Sequence, residues 1–198
     1  MKPSYLYRVL IASYGLSTFA EGIIMPIYAI FVQKIGGDIL DASSAIAVFL
    51  IVSGVATIFI HRFPWSQKNR STLLVLGWFV WVLGIAGYFF VSSTATLFLT
   101  QILMALGEAM STPAFDAELD DHIDARMKSY EWGIFGAVQD ILSGIAAVVG
   151  GLIAVVFGFK ILILCMVAAA TISFLIILYY LRLRHKHFPI NTILGVQK

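Results

Sequence analysis

The sequence predicts an all-α membrane protein, a six-transmembrane-helix bundle, and three observations carry that prediction. Of its 198 residues, 60% are hydrophobic and only 12% are charged, about half the ~25% charge of an ordinary soluble domain. Apolar runs long enough to cross a bilayer, roughly 20 residues each, recur along the whole chain with only short polar stretches between them. The basic residues are strongly segregated. Lys2, Arg8, Arg62, Lys68, Arg70, Arg126, Lys128, Arg182, Arg184, Lys186 and Lys198 fall on one side of the predicted spans, and only Lys34 and Lys160 fall on the other. Cytoplasmic loops of membrane proteins carry such an excess. The bias therefore predicts a multi-pass protein of the cell (inner) membrane with an even number of spans and both termini cytoplasmic.

Residues 1–188 read as one transmembrane domain, and 189–198 as a cytoplasmic tail. The first span covers 7–32. Its basic start followed by an apolar run superficially resembles a signal peptide. The run is too long for one, contains Glu21 and Pro26, and lacks a small-residue cleavage site, so it reads as a retained helix. Pro26 cannot donate a backbone hydrogen bond and is expected to bend this helix. The turn QKIGGDILD leads to a second span over 42–60, which the basic loop HRFPWSQKNR follows. A third span over 71–91 closes in SSTAT, and a fourth covers 97–119. The fifth spans 131–156 and turns tightly through FGFK into the sixth, 161–183, which ends in RHKH. The lone cysteine, Cys165, excludes an internal disulfide and any cysteine-based metal cluster.

Polar groups are unevenly shared among these spans. The third and sixth contain no ionisable side chain apart from Cys165, tyrosines and, at the basic end of the sixth, Arg182. The aromatics of the third (Trp78, Phe79, Trp81, Tyr88, Phe89, Phe90) suit a lipid-facing helix. The first span carries Glu21, the fourth Gln101 and Glu108, and the fifth Gln139 and Asp140. A carboxylate at membrane depth costs roughly 2.5–3.5 kcal/mol on insertion scales unless it is paired, protonated or facing water. No Lys or Arg lies at comparable depth, so these groups imply a polar cavity and reversible protonation. Ser13, Ser17 and Glu21 recur every four residues with Tyr28 seven further on, which makes one face of the first helix polar. Gln101 and Glu108, seven apart, share a face of the fourth with Ser111 or Thr112. The plainer alternative makes each carboxylate an interhelical hydrogen-bond donor that only holds the bundle together.

Along the fifth span Gly136, Asp140, Gly144, Ala147, Gly151, Ala154 and Gly158 form a stripe of small residues. Such stripes let helix backbones approach closely, so this one reads as a packing seam with Asp140 as its polar member.

With these features in place, the chain resembles the N-terminal six-helix half of a major facilitator superfamily transporter. LFLTQILMALGEAMSTPAFDAELDDHID is similar to that family's fourth helix, and DILSGIAAVVGGLIAVVFGFK to its fifth helix and the following turn. The basic loop Arg62 to Arg70 stands where the family places Gly-x-x-x-Asp-Arg-x-Gly-Arg. It keeps basic residues but lacks both glycines and the aspartate. Gln101 stands where the family's fourth helix often carries an arginine implicated in proton relay, and residues 147–151 read AVVGG without the Gly-Pro of the antiporter motif. The resemblance implies that the first and fourth helices line a cavity, the second and fifth pack on the other half, and the third and sixth face outward. It further implies secondary transport of a small-molecule substrate by alternating access, as symporter or antiporter, with no cofactor and no nucleic-acid partner. Glu21, Glu108, Gln101, Ser17 and Tyr28 would bind substrate or protons, and Pro26 would let the first helix bend.

The family's halves are parallel repeats, so two identical six-helix chains can rebuild the full shape as a homodimer, with Gly136, Asp140, Gly144 and Gly151 at the seam. The resemblance to half-size bacterial members of this type leads to the expectation of a natural half rather than a truncation.

Other readings remain open at this point. Asp120, Asp121 and Asp124 spell D-D-x-x-D, the diphosphate motif of Mg²⁺-dependent prenyltransferases, and Asp116 would extend it along one helical face. The same carboxylates can instead pair with Arg62, Lys68 and Arg70 as a cytoplasmic gate, with Arg62, Arg70, Asp116 and Asp120 its main members. An ion or proton channel, or a non-transporting membrane partner, would share the same hydropathy. Walker, dinucleotide, H-E-x-x-H and G-x-S-x-G motifs are missing from the sequence.

Overall fold

A computed structural model of the chain describes residues 5–187, and the predicted tail lies outside them. Asp38 and Ser93 start the second and fourth spans with reciprocal capping boxes, pairing with Asp41 and Thr96 respectively. These satisfy backbone donors that the first turn leaves free. The spans therefore begin earlier than hydropathy alone suggests, at α3 (Ile39–His61) and α6 (Thr94–Asp120). The turns before α3 and before the last helix pass through Gly36 and Gly158 at φ +85° and +79°, a region that a Cβ disfavours.

The first span is broken rather than bent. It runs as α1 (Tyr5–Gly22), a 3-10 turn over Met25–Ile27, and α2 (Tyr28–Lys34). Pro26 cannot give Gly22 its hydrogen bond, and the chain tightens to i→i−3 bonds from Ile24 to Glu21 and from Ile27 to Ile24. A short helix that hydropathy does not predict, α4 (Pro64–Lys68), folds within the basic loop, with proline in its first turn where the missing N–H costs nothing. The third span is α5 (Arg70–Gly87) with a 3-10 turn over Tyr88–Phe90. The fifth and sixth are α7 (Lys128–Val156) and α8 (Phe159–His187).

Five of the six spans are long and apolar enough to cross a membrane by length and composition alone. The remaining one, α6, has the most polar interior face yet runs 27 residues and packs against both α5 and α3. The bundle is a curved row in the order α3, α6, α5, α8, α1, α7, and α2, the continuation of the first span, closes back onto α3. Its two ends are the least covered. Only 11% of the α3 span and 11% of the α7 span are buried, against 50% for the first and third spans and 39% for the sixth.

This order revises one expectation. The third span is not simply a lipid-facing helix. Phe79, Phe89 and Phe90 are exposed, but Trp78, Trp81 and Tyr88 turn inward and are buried. Their spacing of three and seven places them on one face, and two of them find hydrogen-bond acceptors there. The stripe of the fifth span is not packed within the protomer. Gly136, Gly144 and Gly151 have open space where a side chain would stand, and Asp140 is exposed. The intrachain seam with α1 instead uses the neighbouring face, Ala146 and Gly150, against Gly22 and Ile23.

Candidate substrate cavity

Two cavities lie between α1 and α6. The first, about 180 Å³, is lined by Ser17, Thr18 and Glu21 from α1, by Glu108, Ser111 and Thr112 from α6, and by aromatic rings and Gln139 around them. The second, about 240 Å³, lies beside Glu21, with Tyr28, Tyr88 and Gln101 on one wall and apolar side chains on the others. Glu21 lines both. The carboxylates predicted on separate helices thus face one space, and among the described residues no Lys or Arg lines either cavity.

Helical drift decides which predicted residues take part. Steps of four residues advance 400°, so each step rotates about 40° around the axis. Ser17 and Glu21 remain on the cavity side. Ser13, two steps from Glu21, has rotated away and instead clasps α8: its hydroxyl donates to the Ser173 carbonyl at 2.9 Å, and the Ser173 hydroxyl donates back to the Ser13 carbonyl at 2.7 Å. The Trp78 indole donates to the Ser173 hydroxyl at 3.0 Å and completes the clasp.

The predicted polar residues are held by partners that spacing alone does not assign. Trp81 Nε1 donates to Glu21 Oε1 at 2.9 Å, tying the first span to the third beside the helix break. The Gln101 amide donates to the hydroxyls of Tyr28 at 2.7 Å and Tyr88 at 3.0 Å. Ser17 donates to the Tyr14 carbonyl at 2.7 Å. Tyr14 closes the first cavity toward the basic end and packs on Phe115 and Phe135 at centroid distances of 4.7 and 5.1 Å. Trp81→Phe keeps the ring but removes the donor to Glu21. It should loosen the first span at Gly22 and speed hydrogen exchange of the Ile23 and Ile24 amides, with little change in overall stability.

At the basic end the pairing differs from the expected gate. Arg62 is exposed and lies over the Phe63 ring, 5.7 Å from its centroid. Asp116 is half-buried near the cavity end of this region. Asp120 pairs with Lys128 at 2.7 Å and accepts from Trp132, so it joins the fourth span to the fifth rather than to the basic loop. Arg70 does bridge from the loop, but to Glu118 at 2.9 Å and to Asp121. Glu118, absent from the predicted set, is the centre of this end. It is fully buried and also receives Arg184 Nη1 at 2.6 Å and the Tyr180 hydroxyl at 2.7 Å. Arg184 reaches on to Ser71 at 2.8 Å. One signal for Glu118 existed in the sequence: it lies seven residues after Ser111, on the face that packs against α5.

This geometry leaves no diphosphate site. Helix α6 ends at Asp120, so Asp116, Asp120 and Asp124 do not share a continuous helical face. Asp120 and Asp121 are drawn to different cations, and Asp124 accepts from the Arg126 amide at 3.0 Å. Among the described residues no three His, Cys, Asp or Glu side chains are grouped as a metal site requires.

Apolar spans packed around a carboxylate-bearing polar cavity define a polytopic membrane protein with a polar space at membrane depth. Residues 10–192 match the family model of the Major Facilitator Superfamily, and the chain belongs to that family. It is similar in fold to the in meso crystal structure of the POT family transporter PepTSo, with a TM-score of 0.69 and 14% identity. The match covers 90% of this chain and 38% of PepTSo, so the chain spans well under half of that transporter's length. No curated protein sequence matches it.

Proposed function

We propose that the chain is one half of a secondary transporter, carrying a small cationic or polar neutral solute by alternating access as a parallel homodimer. The observation that carries this reading is the cavity that Glu21 and Glu108 share with hydroxyl and amide side chains. Half-buried carboxylates at membrane depth without a cationic partner can be stabilised by a proton or by a positively charged solute, and exchange between the two would couple transport to protons. Tyr28 and Gln101 add hydrogen-bonding groups, and the break at Pro26 lets α2 move independently of α1. The end carrying Arg70, Lys128 and Arg184 faces the cytoplasm of an inner-membrane protein, by the asymmetry of its basic residues. There the Arg70, Asp121 and Asp120 pairs would act as the gate, opening and re-forming as the cavity changes sides.

Counterflow into proteoliposomes tests the transport reading. Saturable uptake driven by preloaded solute supports it, whereas non-saturating flux would assign the protein to channels and no flux to a non-transporting role. Glu21→Gln should abolish the pH dependence of uptake; unchanged pH dependence would move the proton role elsewhere.

A two-fold axis along the membrane normal reverses lateral order across the interface, so α3 of one protomer meets α7 of its partner. Gly54 and Gly136 both face open space, and each lies a few turns from the basic end of its helix. Cysteines introduced at both positions in a Cys165→Ala background should give a covalent dimer on mild oxidation in native membranes. Cysteine at Phe79, on the outer face of α5, should not. A persistent monomer would overturn the homodimer.

A further inference from the structure

We propose that the two cavities form one two-part site for an amphiphilic organic cation, with its charged head between Glu21 and Glu108 and its apolar tail in the cavity beyond Glu21. The inference rests on the transport reading and names the substrate class of the same site. Three observations carry it.

The head compartment combines two carboxylates with the rings of Tyr14, Trp78 and Trp81 and has no basic residue in its wall. Indole and phenol faces attract quaternary or protonated nitrogen, and carboxylates supply the net charge that makes such a cavity select cations over neutral molecules. The tail compartment is apolar in a particular way. Met25, Met104 and Met166 share it with Ile46, Phe49 and Leu50. Thioether side chains are flexible and polarizable, so such a lining accommodates tails of different shape. Its polar members are already engaged with one another, since Gln101 gives its amide hydrogens to Tyr28 and Tyr88. The third observation is continuity: Glu21 borders both compartments, held in place by Trp81. A molecule with its charge at Glu21 therefore has an apolar volume of about 240 Å³ directly beside its head.

The test is equilibrium binding to the full chain in lipid nanodiscs, with n-alkyltrimethylammonium ions from tetramethyl to decyl and alkyl sulfates of the same chain lengths as controls. Affinity for the ammonium series should rise roughly 3- to 4-fold per methylene and level off once the tail compartment is full. The sulfates, which enter the lipid equally well, should bind at least ~10-fold more weakly at each length, consistent with a charge-selective head site. Glu21→Gln and, separately, Glu108→Gln should weaken every ammonium ion. Leu50→Trp, at the exposed rim of the tail compartment, should flatten the dependence on chain length; the readout is that slope rather than the affinity itself. Affinity independent of chain length, equal binding of sulfates, or an unchanged slope in Leu50→Trp would each overturn the proposal. Binding is read without transport, so a failure here is distinct from a failure of counterflow, which alone decides the transport reading.

Discussion

Glu118→Ala is expected to destabilise the protein by about 3 kcal/mol, the lower end of the range for breaking a buried ion pair by removing one partner. The carboxylate is wholly buried and binds Arg70, Arg184 and Tyr180, which come from the third and sixth spans. Without it two guanidinium groups converge on a space with no anion. Their side chains retain 22% and 29% exposure, so both can turn partly to water, and the cost is not the maximum. For a chain of this length the loss corresponds to a fall in thermal midpoint of roughly 6–12 °C. Thermal denaturation in detergent is the measurement, and Asp121→Ala is the comparison. Asp121 is 54% exposed and binds the same Arg70 from the surface, where an ion pair contributes about 0–1 kcal/mol. Equal effects of the two substitutions would show that Glu118 is not the centre of this end.

Gly150→Leu should prevent correct assembly of the first and fifth spans. A side chain at Gly150 would collide with the Ile23 carbonyl, in the segment where α1 gives way to its 3-10 turn. Backbone cannot yield as a flexible side chain does. Even Gly150→Ala should cost about 1–3 kcal/mol, the usual penalty of overpacking, with leucine well beyond it. The consequence is local to the site, because the displaced backbone adjoins Glu21 and Ile24, which line the cavities. Gly144→Leu, on the same helix but with nothing within 4 Å, should leave the folded protomer intact by thermal midpoint and protease resistance. In the proposed dimer it should weaken self-association. The pair of variants thus separates the inner seam of α7 from its outer face.

Much of the site was legible in the spacing of polar residues. Glu21, Gln101 and Glu108 stand out because a carboxylate or amide within an apolar run is costly, and a cost at that depth demands a compensating environment. A period of four then placed Ser17 with Glu21, whereas the period of seven did not bring Gln101 and Glu108 together: Glu108 lines the first cavity and Gln101 the second. The same rule failed at Ser13, where the angular drift over two steps turns the hydroxyl to α8. It also missed Trp81, since an aromatic in a hydrophobic run reads as lipid-facing until its N–H is seen to meet Glu21. At the end of α6 five acidic residues crowd into nine positions, Asp116 to Asp124. Charge alone does not say which of them is buried, and the expected gate used Asp116 and Asp120 where the structure uses Glu118 and Asp121 for Arg70.

The sequence by itself determined that this is a helical membrane protein, how many spans it has, and which of them carry polar groups. Those properties add up residue by residue along the chain, because transfer of each side chain into the bilayer is nearly independent of its distant neighbours. Only the tertiary structure decided which side of each helix faces the cavity, which carboxylate receives the arginines, and that Glu21 borders a polar and an apolar space at once. These depend on helix rotation and on the order of helices in the row, and each 100° step along a helix converts a small change of register into a different neighbour.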